Sequence, residues 1–134
     1  MKTLGFTILT AAVLALPICA QSPAVVADVP FGFIAGNATM SAGQYVVRIS
    51  AGSSAVALLG PTLDTHYLNT NPDGAQSNSG RPEMVFHRWG DQYFLSEIRT
   101  PGTSREIPAS RLEREVQKSA SAGRANQEIV LAMR

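Results

Sequence analysis

Residues 83–99 constrain this chain more tightly than any other stretch, because two runs of β-prone side chains flank Gly90-Asp91. A glycine followed by aspartate suits a two-residue type II′ turn, whose first position needs a positive φ that glycine adopts without steric cost. Such a turn fixes the register, setting Trp89 opposite Gln92, Arg88 opposite Tyr93, His87 opposite Phe94 and Phe86 opposite Leu95. One face then carries Met84, Phe86, Leu95 and the Arg88–Tyr93 pair, and the other carries Val85, His87, Phe94 and Trp89. Both faces are apolar enough that the hairpin belongs at the centre of a fold, with cover on each side.

The rest of the chain supplies short β-prone runs between glycine, proline and asparagine punctuation. The first runs from Val25 to Ile34 with Pro30 inside it, and a residue that cannot donate to a ladder suits an edge strand or a bulge. In Gln44–Ile49, Tyr45, Val47 and Ile49 alternate with Val46 and Arg48, the period of a half-buried strand. Ala55–Leu59 is wholly apolar and stops at Gly60-Pro61, Leu63–Asn69 is a further strand, and Thr70–Pro82 reads as an exposed loop. One helix is predicted. Ser110 and Glu113 form a capping box, Leu112, Val116 and Ala120 make a narrow apolar stripe, and Gly123 is a stop. Glu128–Met133 closes the chain as a last strand. The pattern predicts a mostly β fold: an antiparallel β-sandwich or small open barrel of six to seven strands, with one short C-terminal helix before the last strand.

The first twenty residues set a different constraint. Met1-Lys2 give a positive start, Leu4–Leu16 an apolar run, and Pro17–Ala20 a small-residue exit, the pattern of a cleaved export signal. The run is about thirteen residues, short of the roughly 20 that span a bilayer, so no retained membrane span is expected. Lipid attachment at Cys19 is disfavoured because bulky Ile18 precedes it. Residues 21–134 are then one β-rich domain, of a size that supports a single core. Cys19 is the only cysteine, so the mature domain has neither a disulfide nor a cysteine metal ligand. Without Lys2 the chain carries ten basic and ten acidic residues, which gives no electrostatic footprint for nucleic acid.

Three blocks, Val29-Pro30-Phe31-Gly32-Phe33, Ala42-Gly43-Gln44-Tyr45-Val46-Val47 and Val85 through Leu95, together resemble a family of small exported bacterial proteins of uncharacterised function. The resemblance covers most of the mature chain. This sequence has Met40-Ser41 where leucine and proline are expected in that family. It implies an exported β-domain in the periplasm or outside the cell, and carries over no catalytic residue.

Catalytic patterns are sparse. His66 and His87 are the only histidines, no Gly-x-Ser-x-Gly elbow is present, and no glycine-rich phosphate loop opens a helix. Asp64 and His66 lie two apart and would share a strand face, but a zinc site needs three or four ligands. No metal or other cofactor is predicted. His87 is expected to pack on Phe94 and Trp89, with a ring nitrogen bonded to backbone or to Asp91. The remaining candidates are Arg88, Trp89, Asp91 and Tyr93, with His87 beside them, an aromatic, guanidinium and carboxylate mixture of the kind that binding hot spots use. The sequence therefore predicts an exported, non-enzymatic β-domain with a binding or structural role, its partner an envelope protein or a small ligand. The second reading is a sugar- or peptide-binding module using the aromatic hairpin tip, and the third is a small hydrolase. An open edge near Val25–Val29 would favour partner binding by strand addition, and a pocket lined by Trp89 and Tyr93 would favour the ligand.

Overall fold

The computed structural model describes residues 24–50, 52–73, 80–120 and 127–134; the leader over residues 1–20 and the helix stop at Gly123 lie outside them. In chain order the elements are β1 (Ala24–Val29), β2 (Phe33–Ala35), β3 (Ala38–Met40), β4 (Gly43–Ile49), β5 (Ala55–Leu59) and β6 (Thr65–Asn69). They continue with β7 (Asn71–Asp73), β8 (Glu83–Trp89), β9 (Gln92–Thr100), β10 (Thr103–Glu106), α1 (Arg111–Ala120) and β11 (Gln127–Ala132). Among the described residues the fold is mostly β, in two sheets, with a single short helix before the last strand, as the patterning predicts. Among the described residues no helix is long and apolar enough to cross a membrane.

The first sheet has the order β1-β4-β5-β6, and the second has the spine β11-β8-β9-β10-β7 with β2 and β3 beside it. The expected strand Val25–Ile34 is in fact two. β1 pairs with β4 in one sheet, whereas β2 pairs with β3 and β9 in the other. Pro30 and Gly32 lie between them, so the residue that cannot join a ladder stands where the chain changes sheets. Similar corners explain why the seven runs become eleven strands among the described residues: the expected loop Thr70–Pro82 begins instead with buried Thr70, through which β6 passes into β7, and β10 is a short return of β9.

The sheets face each other across a core of Val29, Phe33, Tyr45, Val47, Leu58, Met84, Phe86, Leu95 and Ile98. Their alternation along each strand is the inward half of the period-two pattern. Phe33 and Phe86 meet edge-on, with ring centroids 5.2 Å apart, and Tyr45 donates its hydroxyl hydrogen to the Ser41 carbonyl. One seam is closed by backbone: Val26 N–H donates to the Arg134 carbonyl at 2.8 Å, and Arg134 N–H to the Val26 carbonyl at 3.0 Å. At the other, Thr70 N–H donates to the Ser54 carbonyl at 2.7 Å and the Arg105 guanidinium to that of Ser53.

The central hairpin has the register set by its turn, from Trp89 opposite Gln92 to Phe86 opposite Leu95. Gly90 has φ 64° and Asp91 a negative φ, the signs a type II′ turn requires. Beyond Phe86 a bulge shifts the pairing, so that Val85 faces Glu97 and Glu83 faces Arg99, leaving Ser96 as the extra residue. The freed Ser96 carbonyl accepts the Ile107 N–H at 2.8 Å, which anchors the segment leading into α1.

Helix α1 packs on β8, but not with the expected stripe. The Ser110 hydroxyl accepts the Glu113 N–H at 3.1 Å, so the cap forms. Leu112, however, is 44% exposed, while Glu113 is buried. The sheet face beneath presents an imidazole and an indole N–H along with carbon, and it turns the helix so that a carboxylate faces inward.

Candidate functional site

The hairpin residues singled out from the sequence lie on both faces of the sheet, because strand alternation sends neighbours to opposite sides. Arg88 and Tyr93 lie on the inner face, where Tyr93 stacks on Phe31 at 3.9 Å between centroids and the Arg88 guanidinium sits 5.4 Å over the Tyr93 ring. Arg88 also donates from Nε to the Gly90 carbonyl at 2.8 Å. Asp91 is exposed at the turn. His87 and Trp89 are on the outer face with α1.

There His87 Nδ1 lies 3.6 Å from Glu113 Oε1, so its partner is the helix carboxylate rather than Asp91. Trp89 Nε1 is buried without an acceptor in hydrogen-bonding geometry, although its indole is near enough to favour the ionised Glu113. Burial pushes the Glu113 carboxyl above the usual range, and the charge and hydrogen bond of His87 oppose this only in part. A raised value in the fold means that this group's contribution is complete below the unfolded pKa and is lost as pH rises through the folded one. Glu113→Gln keeps the shape and cannot ionise. Its stability relative to wild type is expected to rise between about pH 4 and pH 7; urea unfolding at both checks this, and an unchanged difference would show that ionising Glu113 costs nothing.

The same face carries a second polar cluster. Arg99 donates to Glu97 at 3.0 and 3.1 Å and also lies 3.8 Å from Glu83 and 3.7 Å from Glu128. Burial alone would raise the Glu97 carboxyl, but hydrogen bonds from Arg99 and Ser104 and the charge of Arg99 hold it below the usual range. These groups satisfy one another and hold β8, β9 and β11 together.

A separate recess lies elsewhere. An open groove of about 690 Å³ runs between β6, the β2–β3 turn, the segment Ile107–Ser110 and the first turns of α1. Its floor is apolar, with Ala35, Leu68 and Ile107 buried. Gly36, at φ +59°, makes the turn that borders it, and a Cβ there would meet Leu68 Cδ2 at 3.4 Å. Tyr67, 75% exposed, stands on the rim with His66 and Asn69. Arg111 and Arg114 come from the helix. Arg111 is shared with Glu115 at 3.1 Å, whereas the Arg114 guanidinium has no ion-pair partner among the described residues. Asp64 and His66 line a smaller recess of about 120 Å³ with Tyr45 and Thr62, and the Thr62 hydroxyl donates to Asp64 at 2.8 Å.

Trp89 and Tyr93 line neither of these two recesses. The groove escaped sequence reasoning because its walls come from three separated segments. One local signal was present: two arginines in the first turns of a helix oppose its macrodipole, at a cost of about 0.3–1 kcal/mol each. No protein-family model, curated protein or solved structure matches this chain.

Proposed function

We propose that this chain is an exported, non-enzymatic binding domain of the bacterial envelope or extracellular space, and that it binds an anionic ligand in the groove beside β6 rather than at the hairpin tip. The observation that carries this reading is the groove's composition. An apolar floor, one highly exposed tyrosine and two arginines converge on a recess within the 300–1,000 Å³ range of ligand sites. Guanidinium groups favour carboxylate and phosphate, because their planar donors match two oxygens at once. Export rests on the leader pattern of residues 1–20.

A thermal-shift screen of acidic peptides and anionic sugars tests the reading, with the double variant Arg111→Gln, Arg114→Glu as the comparison. Both residues are exposed and the changes suit a helix N-terminus, so the variant should fold normally. At about 100-fold excess over Kd a bound ligand adds roughly 2.7 kcal/mol, so the wild-type melt should rise by several degrees. The variant should show no rise with the same compound. Equal rises in both proteins would move the site away from the groove, and no rise with either class would end the anionic-ligand reading.

A further inference from the structure

Resting on the groove reading, we infer that the ligand is an extended acidic peptide segment that adds as a strand to the open edge of β6. β6 is the last strand of its sheet, and among the described residues it is hydrogen-bonded only to β5. Gly60 N–H donates to the Asp64 carbonyl, and Thr70 N–H to that of Ser54. Stepping by two along this ladder points the polar backbone of His66 and Leu68 toward β5. The N–H and C=O groups of Thr65, Tyr67 and Asn69 therefore point outward.

The groove lies along this edge, because its lining takes consecutive residues His66, Tyr67, Leu68 and Asn69 from both faces of the strand. A ladder partner would run beside them. At about 3.3 Å per residue, four or five residues span β6. Alternate side chains of such a segment would meet the floor at Leu68 and Ile107 and the wall at Ala38. Arg111 and Arg114 stand on the far wall and select carboxylates on the segment.

Three other strands with a free edge, β1, β7 and β3, are protected in ways this one is not. β1, whose edge would have favoured strand addition had it been open, is covered at Val26 by the backbone of Arg134. β7 carries Pro72, and β3 has only three residues. β6 reads Thr-His-Tyr-Leu-Asn, with no lysine, proline or bulge to discourage pairing. An undefended edge beside an apolar floor and two cations is the arrangement strand addition uses, in which main-chain bonds give affinity and pockets give specificity.

The test uses a fluorescent peptide, acetyl-Ser-Val-Glu-Val-Glu-Val-Glu-Val-Ser-amide, and two copies N-methylated at alternate residues, one in each phase. Together these block both backbone edges in turn. The parent peptide is expected to bind, the copy methylated on the bonding edge to bind at least tenfold more weakly, and the other copy to bind like the parent. Amide exchange at Tyr67 and Asn69 should slow at least tenfold on binding, with Leu68, already bonded to β5, little changed. Arg111→Gln, Arg114→Glu should weaken the parent peptide at least tenfold. Equal binding of all three peptides, with arginine dependence intact, would overturn strand addition and leave the anionic groove standing. Failure of the peptide while an anionic sugar still binds would do the same. Failure of every anion would remove both.

Discussion

Truncating Phe86 to alanine is expected to cost about 3–5 kcal/mol and to lower the melting temperature by roughly 15 °C. Phe86 is fully buried on an interior strand of the larger sheet, between β11 and β9. Its ring meets Phe33 edge-on at 5.2 Å and Phe31 edge-on at 5.1 Å, so it joins the core to the segment where the chain changes sheets. Strand pairing on both sides holds the backbone in place, and the surrounding side chains cannot collapse into the space left. Leu63→Ala is the comparison, since Leu63 is 79% exposed and its truncation should change stability by less than about 0.5 kcal/mol. Urea unfolding of both variants measures the contrast. A loss under about 1 kcal/mol at Phe86 would mean that the two sheets do not share the core described above.

Replacing Arg99 with methionine is expected to cost about 2 kcal/mol at pH 7 and much less in acid. The cation touches Glu97, Glu83 and Glu128, with side chains 19%, 24% and 54% exposed. Breaking a fully buried pair costs about 3–5 kcal/mol, and partial exposure reduces this. The sign with pH follows from Glu97. Burial works to raise its pKa, but the bonds from Arg99 and Ser104 lower it overall. Its stabilisation is therefore present above the unfolded value, near 4.5, and is lost as pH falls through the folded one. In the variant the three carboxylates lose their shared cation, and acid relieves their repulsion. The wild-type advantage should then be greatest at neutral pH and shrink below about pH 4. Denaturant titrations at several pH values would show it, and a constant difference would mean that Arg99 acts only through its carbon stem.

The hairpin from Glu83 to Arg99 was legible because its information is local: Gly90 supplies the positive φ, and the turn length then dictates every pairing as far as Phe86. The bulge beyond Phe86 was not, since it sets β9, with its partners β10 and the Ile107 segment, against β8 and β11, which no local pattern records. Helix α1 divides the same way. Ser110 announced its start, but which side would be buried depended on the surface it met. The Leu112–Val116–Ala120 stripe gave way at Leu112, while Glu113 turned in toward His87.

The candidate site shows the division most sharply. His87, Arg88, Trp89, Asp91 and Tyr93 are close in sequence, yet the pleat separates Arg88 and Tyr93 from His87 and Trp89. Asn37, Tyr67 and the helix pair Arg111 and Arg114 are distant from one another in sequence, yet they line one groove.

By itself the sequence determined the strand-rich class, the central hairpin with its register near the turn, the helix start at Ser110 and the absence of cysteine beyond residue 19. Each follows from interactions within a few residues: backbone sterics at glycine, side-chain alternation and a capping hydroxyl. Only the tertiary structure decided where the chain changes sheets, which edges are covered and where a groove opens. Those features depend on surfaces that form when distant segments pack, and no residue carries them until its neighbours across the core are in place.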